Sequence, residues 1–180
     1  MNRIGKKLTL MAVLFACMVF TANAQSKGNV IKINIFSPIV KTFNIQYEKT
    51  LTATSSFQLG FFYTGYSSGS TDFSGFGITP EYRAYLSETD APKGVYIAPF
   101  LRYQNFTLTD GGNKGTFNSF GGGLIIGKQW IFKEKVALDI FIGPSYSSGS
   151  AKTTSGSGTF DTGVFDGFGI RTGLCLGFAF

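Results

Sequence analysis

Large and small side chains alternate without a break along residues 167–180. Phe168, Ile170, Thr172, Leu174, Leu176, Phe178 and Phe180 fall on one parity. Gly167, Gly169, Arg171, Gly173, Cys175, Gly177 and Ala179 fall on the other. Successive side chains of a strand point to opposite faces, so this segment predicts a strand with one bulky apolar face and one face of small residues carrying a single charge. The same period of two recurs upstream between turn signals. Ile31, Ile33 and Ile35 oppose Lys32 and Asn34, while Phe43, Ile45 and Tyr47 oppose Asn44, Gln46 and Glu48. Further alternating runs lie at 57–64, 76–86, 97–104 and 136–143. The run at 121–130 is less regular, because Leu124, Ile126 and Trp130 share their face with Lys128. Either Lys128 snorkels at an interface or a bulge switches the register there.

Eight candidate strands result, most of about 9 to 15 residues. A strand tilted across a bilayer needs roughly 9–11 residues, whereas soluble strands are usually about 5–6. No run after Gln25 is long and apolar enough to predict a transmembrane helix. The polar parity decides the orientation. It holds Lys32, Arg83, Arg102 and Arg171 with Glu48, Glu81 and Asp139, and also most of the strand glycines. Small residues suit the inside of a narrow barrel, and an eight-stranded barrel has an interior just wide enough for side chains to fill. Buried charges persist when paired, and these seven nearly balance. The expected fold is therefore all-β: an eight-stranded antiparallel up-and-down transmembrane β-barrel with a polar, plugged lumen and Ile, Leu and Phe facing lipid.

The N-terminal segment fits an exported protein. Arg3, Lys6 and Lys7 precede an apolar run over Leu8–Phe20, and Ala22-Asn23-Ala24 supplies a small-x-small cleavage pattern. Residues 1–24 are expected to be a cleaved signal peptide and residues 25–180 one barrel domain. Removing those three cations leaves 13 basic against 10 acidic residues, too weak and scattered a surplus to predict nucleic-acid binding. The expected location is the cell outer membrane. With both termini on the periplasmic side, the internal turns are short (50–54, 87–93 and 132–135). The external loops are 67–72, 109–115 and the Ser/Thr/Gly-rich 147–162, which reads as flexible.

At this point the chain resembles a small outer-membrane β-barrel of the kind common in Bacteroidota. The resemblance rests on Ala22-Asn23-Ala24-Gln25, on Phe43-Asn44-Ile45-Gln46-Tyr47-Glu48, on Ile97-Ala98-Pro99-Phe100-Leu101-Arg102-Tyr103, and on Leu174-Cys175-Leu176-Gly177-Phe178-Ala179-Phe180. It covers the whole region after the leader. It implies an architecture like that of outer-membrane proteins A and X, within the porin-like superfamily. It also implies that Leu174, Leu176, Phe178 and Phe180 form a C-terminal signal read by the barrel-assembly machinery. The other implied partners are outer-membrane lipid and lipopolysaccharide, with the chain monomeric.

Candidate chemistry is thin. Histidine is absent, which removes the usual general base and the commonest metal ligand. Cys17 lies in the leader and only Cys175 remains, so neither an internal disulfide nor a zinc cluster is expected. Glu48, Glu81 and Asp139 read as partners of interior cations rather than as acid–base catalysts. Asp72, Asp110, Asp161 and Asp166 match no calcium-loop spacing. Gly121-Gly122-Gly123 and Gly111-Gly112 lack the Lys-Ser/Thr of a phosphate loop. They read instead as a lumen-packing or bulge site and a loop tip. No cofactor, metal site or enzymatic activity is expected, and a lumen this crowded should conduct little. The expectation is a non-enzymatic envelope-structural or surface-interaction protein acting through its external loops. The alternative is a soluble or periplasmic lipocalin-like carrier of a small apolar ligand.

Overall fold

A computed structural model describes residues 28–86, 89–155 and 166–180. The leader at 1–24 and the stretch containing Asp161 lie outside the described residues. Eight strands follow one another: β1 Asn29–Asn34, β2 Thr42–Thr52, β3 Ser55–Ser68, β4 Thr71–Tyr85, β5 Gly94–Asp110, β6 Asn113–Phe132, β7 Val136–Ser155 and β8 Gly167–Ala179. A short 3-10 helix, Ser37–Val40, joins β1 to β2, with Pro38 fixing its first turn. Each strand pairs antiparallel with the next, and β1 pairs with β8, so the sheet closes into a barrel. Asn29 and Phe180 exchange both backbone hydrogen bonds at the closing seam, at 3.1 and 2.9 Å. Among the described residues no helix is long and apolar enough to cross a membrane, which has no bearing on strands.

The alternation sorts the side chains. Lys32, Glu48, Glu81, Arg83 and Asp139 are fully buried inside the ring, whereas Ile33, Leu59, Ile78, Leu101, Ile126, Ile140 and Ile142 stand exposed on its outside. Around Lys128 the register is continuous: Gly127 faces Phe141, Lys128 faces Ile140 and Gln129 faces Asp139. No bulge intervenes, and Lys128 lies outward with its Nζ 5.1 Å from the Trp130 ring centre.

The interior is filled largely by aromatic rings laid over glycines. Phe62 faces Gly77, Phe106 faces Gly75, Tyr96 faces Gly127 and Phe141 faces Gly173 across neighbouring strands. A Cβ at any of these glycines would overlap the ring opposite. Glycine on one strand therefore makes room for the aromatic on the next, an arrangement that also shields the exposed glycine backbone.

The connections differ from the expected ones. The external loops expected at 67–72 and 109–115 are tight hairpin turns. Gly69, Gly111 and Gly112 adopt positive φ there, as primed turns require. The loop expected from Ser147 is strand as far as Ser155, pairing with β6 from Tyr146↔Gly122 to Ser155↔Lys114. Its Ser and Thr residues read as a flexible loop in sequence, but threonine is a good strand former once a partner ladder is present. The remainder of that expected loop, to residue 162, lies outside the described residues. Gly121-Gly122-Gly123 is regular strand, with its register unbroken against β5.

Candidate functional site

The structure gathers six of the seven interior charges expected from sequence into one buried network near the end of the barrel that carries the termini. Lys32 Nζ donates to Glu48 Oε2 at 2.6 Å, to Gln129 Oε1 at 2.6 Å and to Asp139 Oδ2 at 3.0 Å, which uses all three ammonium protons. Arg83 Nε donates to Glu81 Oε1 at 2.7 Å. Its Nη1 reaches Asp139 Oδ2 at 2.9 Å and Glu48 Oε2 at 3.3 Å. The guanidinium also lies over the Tyr96 ring, 4.2 Å from its centre. Arg171 Nη1 donates to Glu81 Oε2 at 2.7 Å, and its guanidinium lies 4.4 and 4.9 Å from the Phe100 and Phe141 ring centres.

Neutral groups complete the shell. Ser56 and the Tyr85 hydroxyl donate to Glu48 Oε1 at 2.5 and 2.6 Å. The Tyr96 hydroxyl donates to Asp139 Oδ1 at 2.7 Å. Gln129 Nε2 donates to Glu48 Oε2 at 3.1 Å and to the Pro92 carbonyl at 2.6 Å. Every oxygen of the three carboxylates thus accepts at least one hydrogen bond, and all eight strands contribute a side chain. Three cations (Lys32, Arg83 and Arg171) face three anions (Glu48, Glu81 and Asp139), so the set is neutral. A neutral, hydrogen-bonded cluster is the condition under which charge tolerates a dry interior. Chemically it is a clamp, since each carboxylate is engaged by a cation on another strand.

Arg102, the seventh charge, stands apart. Among the described residues its one side-chain hydrogen bond runs from Nε to Thr79 Oγ1 at 3.3 Å, and no carboxylate lies within ion-pair distance. Charge counting in sequence placed Arg102 with the others because parity alone sets the face. Height along the barrel separates it. Arg102 lies on the side of the clamp away from the termini and lines a cavity of about 490 Å³. Gln46, Phe62, Thr79, Gln104, Phe141 and Arg171 are among its walls. The cavity escaped the sequence reading, which expected a lumen crowded throughout. Its signal was present in the thinning of charge along the interior parity from Arg102 toward Gln104 and Phe106.

Of the remaining expected features, Cys175 is fully buried inside the ring and accepts from Gln46 Nε2 at 3.4 Å. Leu174, Leu176 and Phe178 share the outer face of β8, and the ring of Phe180, the next residue after the strand, stacks on that of Phe178 with centres 6.5 Å apart. Asp110 Oδ1 accepts from the Thr71 hydroxyl at 2.8 Å at the outer rim. Among the described residues no three Asp, Glu or Cys side chains converge as a metal site would require. The structure adds Gln129, Tyr85, Tyr96 and Ser56 to the network. Parity had already put Gln129, Tyr85 and Tyr96 on the inward face, but polar uncharged residues carry no sequence signal that ranks them above their neighbours.

Neither a curated protein nor a solved structure matches the chain significantly. One family model does, over residues 9–155, which takes in β1 to β7. The chain belongs to the family described as protein of unknown function DUF3575.

Proposed function

We propose that this chain is an integral outer-membrane β-barrel protein, closed to diffusion by its interior clamp. Its role is structural or adhesive in the envelope rather than enzymatic. The observation that carries this reading is the outer face. Two belts of aromatic residues ring the barrel. Phe43, Tyr63, Phe76, Tyr103, Phe120, Tyr146 and Phe168 follow one another around the outer end. Tyr47, Tyr82, Trp130 and Phe178 lie toward the end that carries the termini. Phe120 to Trp130 on β6, and Phe168 to Phe178 on β8, are separations that span about 25 Å at roughly 3.3 Å per residue and a tilt of about 40°. Between the belts the outer positions are Ile, Leu, Val, Phe, Pro, Ala, Gly and Thr, with Lys128 the one charge among the described residues.

A monomeric soluble protein seldom shows an apolar patch beyond a few hundred Å², whereas this band runs around the whole circumference. Its height is that of a bilayer's hydrocarbon core. The paired aromatic belts and the location of Lys128 beside Trp130 follow the pattern of a membrane–water interface.

Refolding residues 25–180 into lipid vesicles tests the reading. The expected outcome is a heat-modifiable electrophoretic band together with quenching of Trp130, the single tryptophan, by brominated acyl chains. A protein that stays monomeric and soluble without detergent overturns it. The charge-bearing interior argues against the soluble carrier reading, whose apolar side chains would have to line the inside.

A further inference from the structure

Strand pairing does not close the barrel evenly. β1 ends at Asn34, and its ladder with β8 stops at Asn34↔Cys175, continued by one hydrogen bond from Ile35 N to Leu174 O at 3.0 Å. Outward of this point, residues 167–173 of β8 pair with β7, and residues 42–44 of β2 pair with β3. The 3-10 helix stands in the seam between them. The lips of this seam are unusually apolar and exposed: Ile39 is 77 % exposed, Val40 69 %, Phe168 91 % and Ile170 76 %. Val40 and Ile170 also line the outer cavity, so the cavity reaches the side of the barrel as well as its outer mouth.

Inside, one charged group points to an anionic ligand, and one polar atom in the same cavity lacks a partner among the described residues. Arg102 is a half-buried cation with no carboxylate partner among the described residues, while every other interior charge is neutralised within the clamp. Gln46, 3 % exposed, sends its Nε2 to Cys175 and Asn44, but its Oε1 meets no donor among the described residues. Phe62 and Phe141 supply apolar walls beside these groups. A half-buried, unpaired guanidinium favours an anion, in the bidentate geometry that suits a carboxylate, and the cavity volume falls in the range of small-ligand sites.

We propose that the outer cavity binds a small amphiphilic carboxylate. Its head group pairs with Arg102, its apolar body lies against Phe62 and Phe141, and the seam between β8 and the 3-10 helix offers a second way in beside the outer mouth. The head-group site stands on the barrel interior alone; only the side route rests on the membrane reading.

The test uses residues 25–180 folded in a non-ionic detergent, with the Arg102 Nε–H resonance as reporter and 4-phenylbutyrate as probe. Saturable displacement of that resonance is expected. The uncharged 4-phenylbutyramide, and 4-phenylbutyrate on Arg102→Gln, should bind about ten- to a hundredfold more weakly, the loss expected for a charge-assisted pair; in the Arg102 variants, which lack the reporter, binding is read through the backbone amide resonance of Thr79, which lines the same cavity. Arg102→Lys, which keeps the charge but not the fork, should fall between. Heat-modifiable mobility shows that each variant has folded. Equal binding of acid and amide, or no saturable shift at Arg102 in the unmodified chain, overturns the proposal without touching the membrane reading. In nanodiscs, decanoate carried in the lipid is compared with 4-phenylbutyrate added in buffer. A shift with decanoate supports delivery through the seam, a shift with the soluble acid alone supports the outer mouth, and no shift with either overturns the site.

Discussion

Glu48 is the natural place to perturb the clamp, because one carboxylate there serves five donors. Replacing it by glutamine keeps the volume and one acceptor oxygen but removes the charge. Lys32 and Arg83 each lose an ion pair, at 2.6 and 3.3 Å. Turned one way, the new amide NH₂ points at the donors Lys32, Arg83 and Gln129; turned the other, it forces the Ser56 and Tyr85 hydroxyls to give up donating and accept instead. The clamp passes from neutral to one net positive charge. Hydrogen bonds to charged groups contribute about 1.5–3 kcal/mol each. Breaking a buried ion pair by removing one partner costs about 3–5 kcal/mol. Both routes put Glu48→Gln at about 3–5 kcal/mol, or at least a hundredfold in the folding constant. Urea unfolding in lipid vesicles, followed through Trp130 fluorescence, measures it. If the cost comes from the uncompensated charge, adding Lys32→Met to Glu48→Gln restores neutrality. The double variant should then be more stable than the sum of the two single losses by about 1–3 kcal/mol, as coupled neighbours are. A Glu48→Gln protein within about 0.5 kcal/mol of the original, or strictly additive effects in the double variant, refutes the claim that these charges hold one another.

Gly77→Ala forces the Phe62 ring to move and should cost about 1–3 kcal/mol by overpacking. Gly65→Ala, whose new Cβ meets Tyr63 only at ordinary contact distance of 3.6 Å, should be nearly neutral in the same unfolding assay. Ile142→Arg places a charge within the outer apolar band and should destabilise the lipid-inserted protein by about 2–4 kcal/mol, while Lys128→Leu changes it by less than about 1 kcal/mol; equal effects would refute the assigned height of Lys128. Cys175 is fully buried, so a maleimide should label the folded protein far more slowly than the urea-unfolded chain, as read by mass spectrometry. Fast labelling of the folded form would contradict the closed interior at β8.

How much of this was legible in the sequence depends on which physical quantity encodes it. Inside versus outside is encoded by parity, because a one-residue slip would turn every Ile and Leu of a strand to the wrong face. Hence Lys32, Glu48, Glu81, Arg83, Asp139 and Arg171 could be picked from alternation alone. Height along the barrel is not encoded by parity. It depends on the stagger between strands, which the pairing sets only once the ring is closed. That is why Arg102 was grouped with the clamp and why the cavity went unseen. Lys128 was ambiguous for a related reason, since a charge on the apolar parity reads alike as a bulge or as a snorkelling side chain. The ladder through Lys128↔Ile140 decides between them. Strand ends were the least legible, because Ser and Thr that face water on both sides carry no alternation.

Those polar strand ends bear on how such a protein meets a partner. β6 and β7 each run for 20 residues, about twice what a bilayer crossing needs. Beyond Phe120 and Tyr146 they continue as a paired ladder to Lys114 and Ser155. On the opposite side β1 ends at Asn34. The rim is therefore slanted, with a tall wall of Ser, Thr, Asn and Lys on β5 to β7 standing behind the cavity and a low lip at the 3-10 helix in front. A wall of hydrogen-bonded strand loses little conformational entropy when a partner binds, whereas a loop of the same composition would lose about 1–2 kcal/mol for each backbone residue fixed. If the wall is strand, external protease added to intact cells should leave residues 147–155 uncut. Cleavage within Ser147–Ser155 would show that the ladder to β6 opens in solution, and with it the rigidity on which a surface role for this face depends.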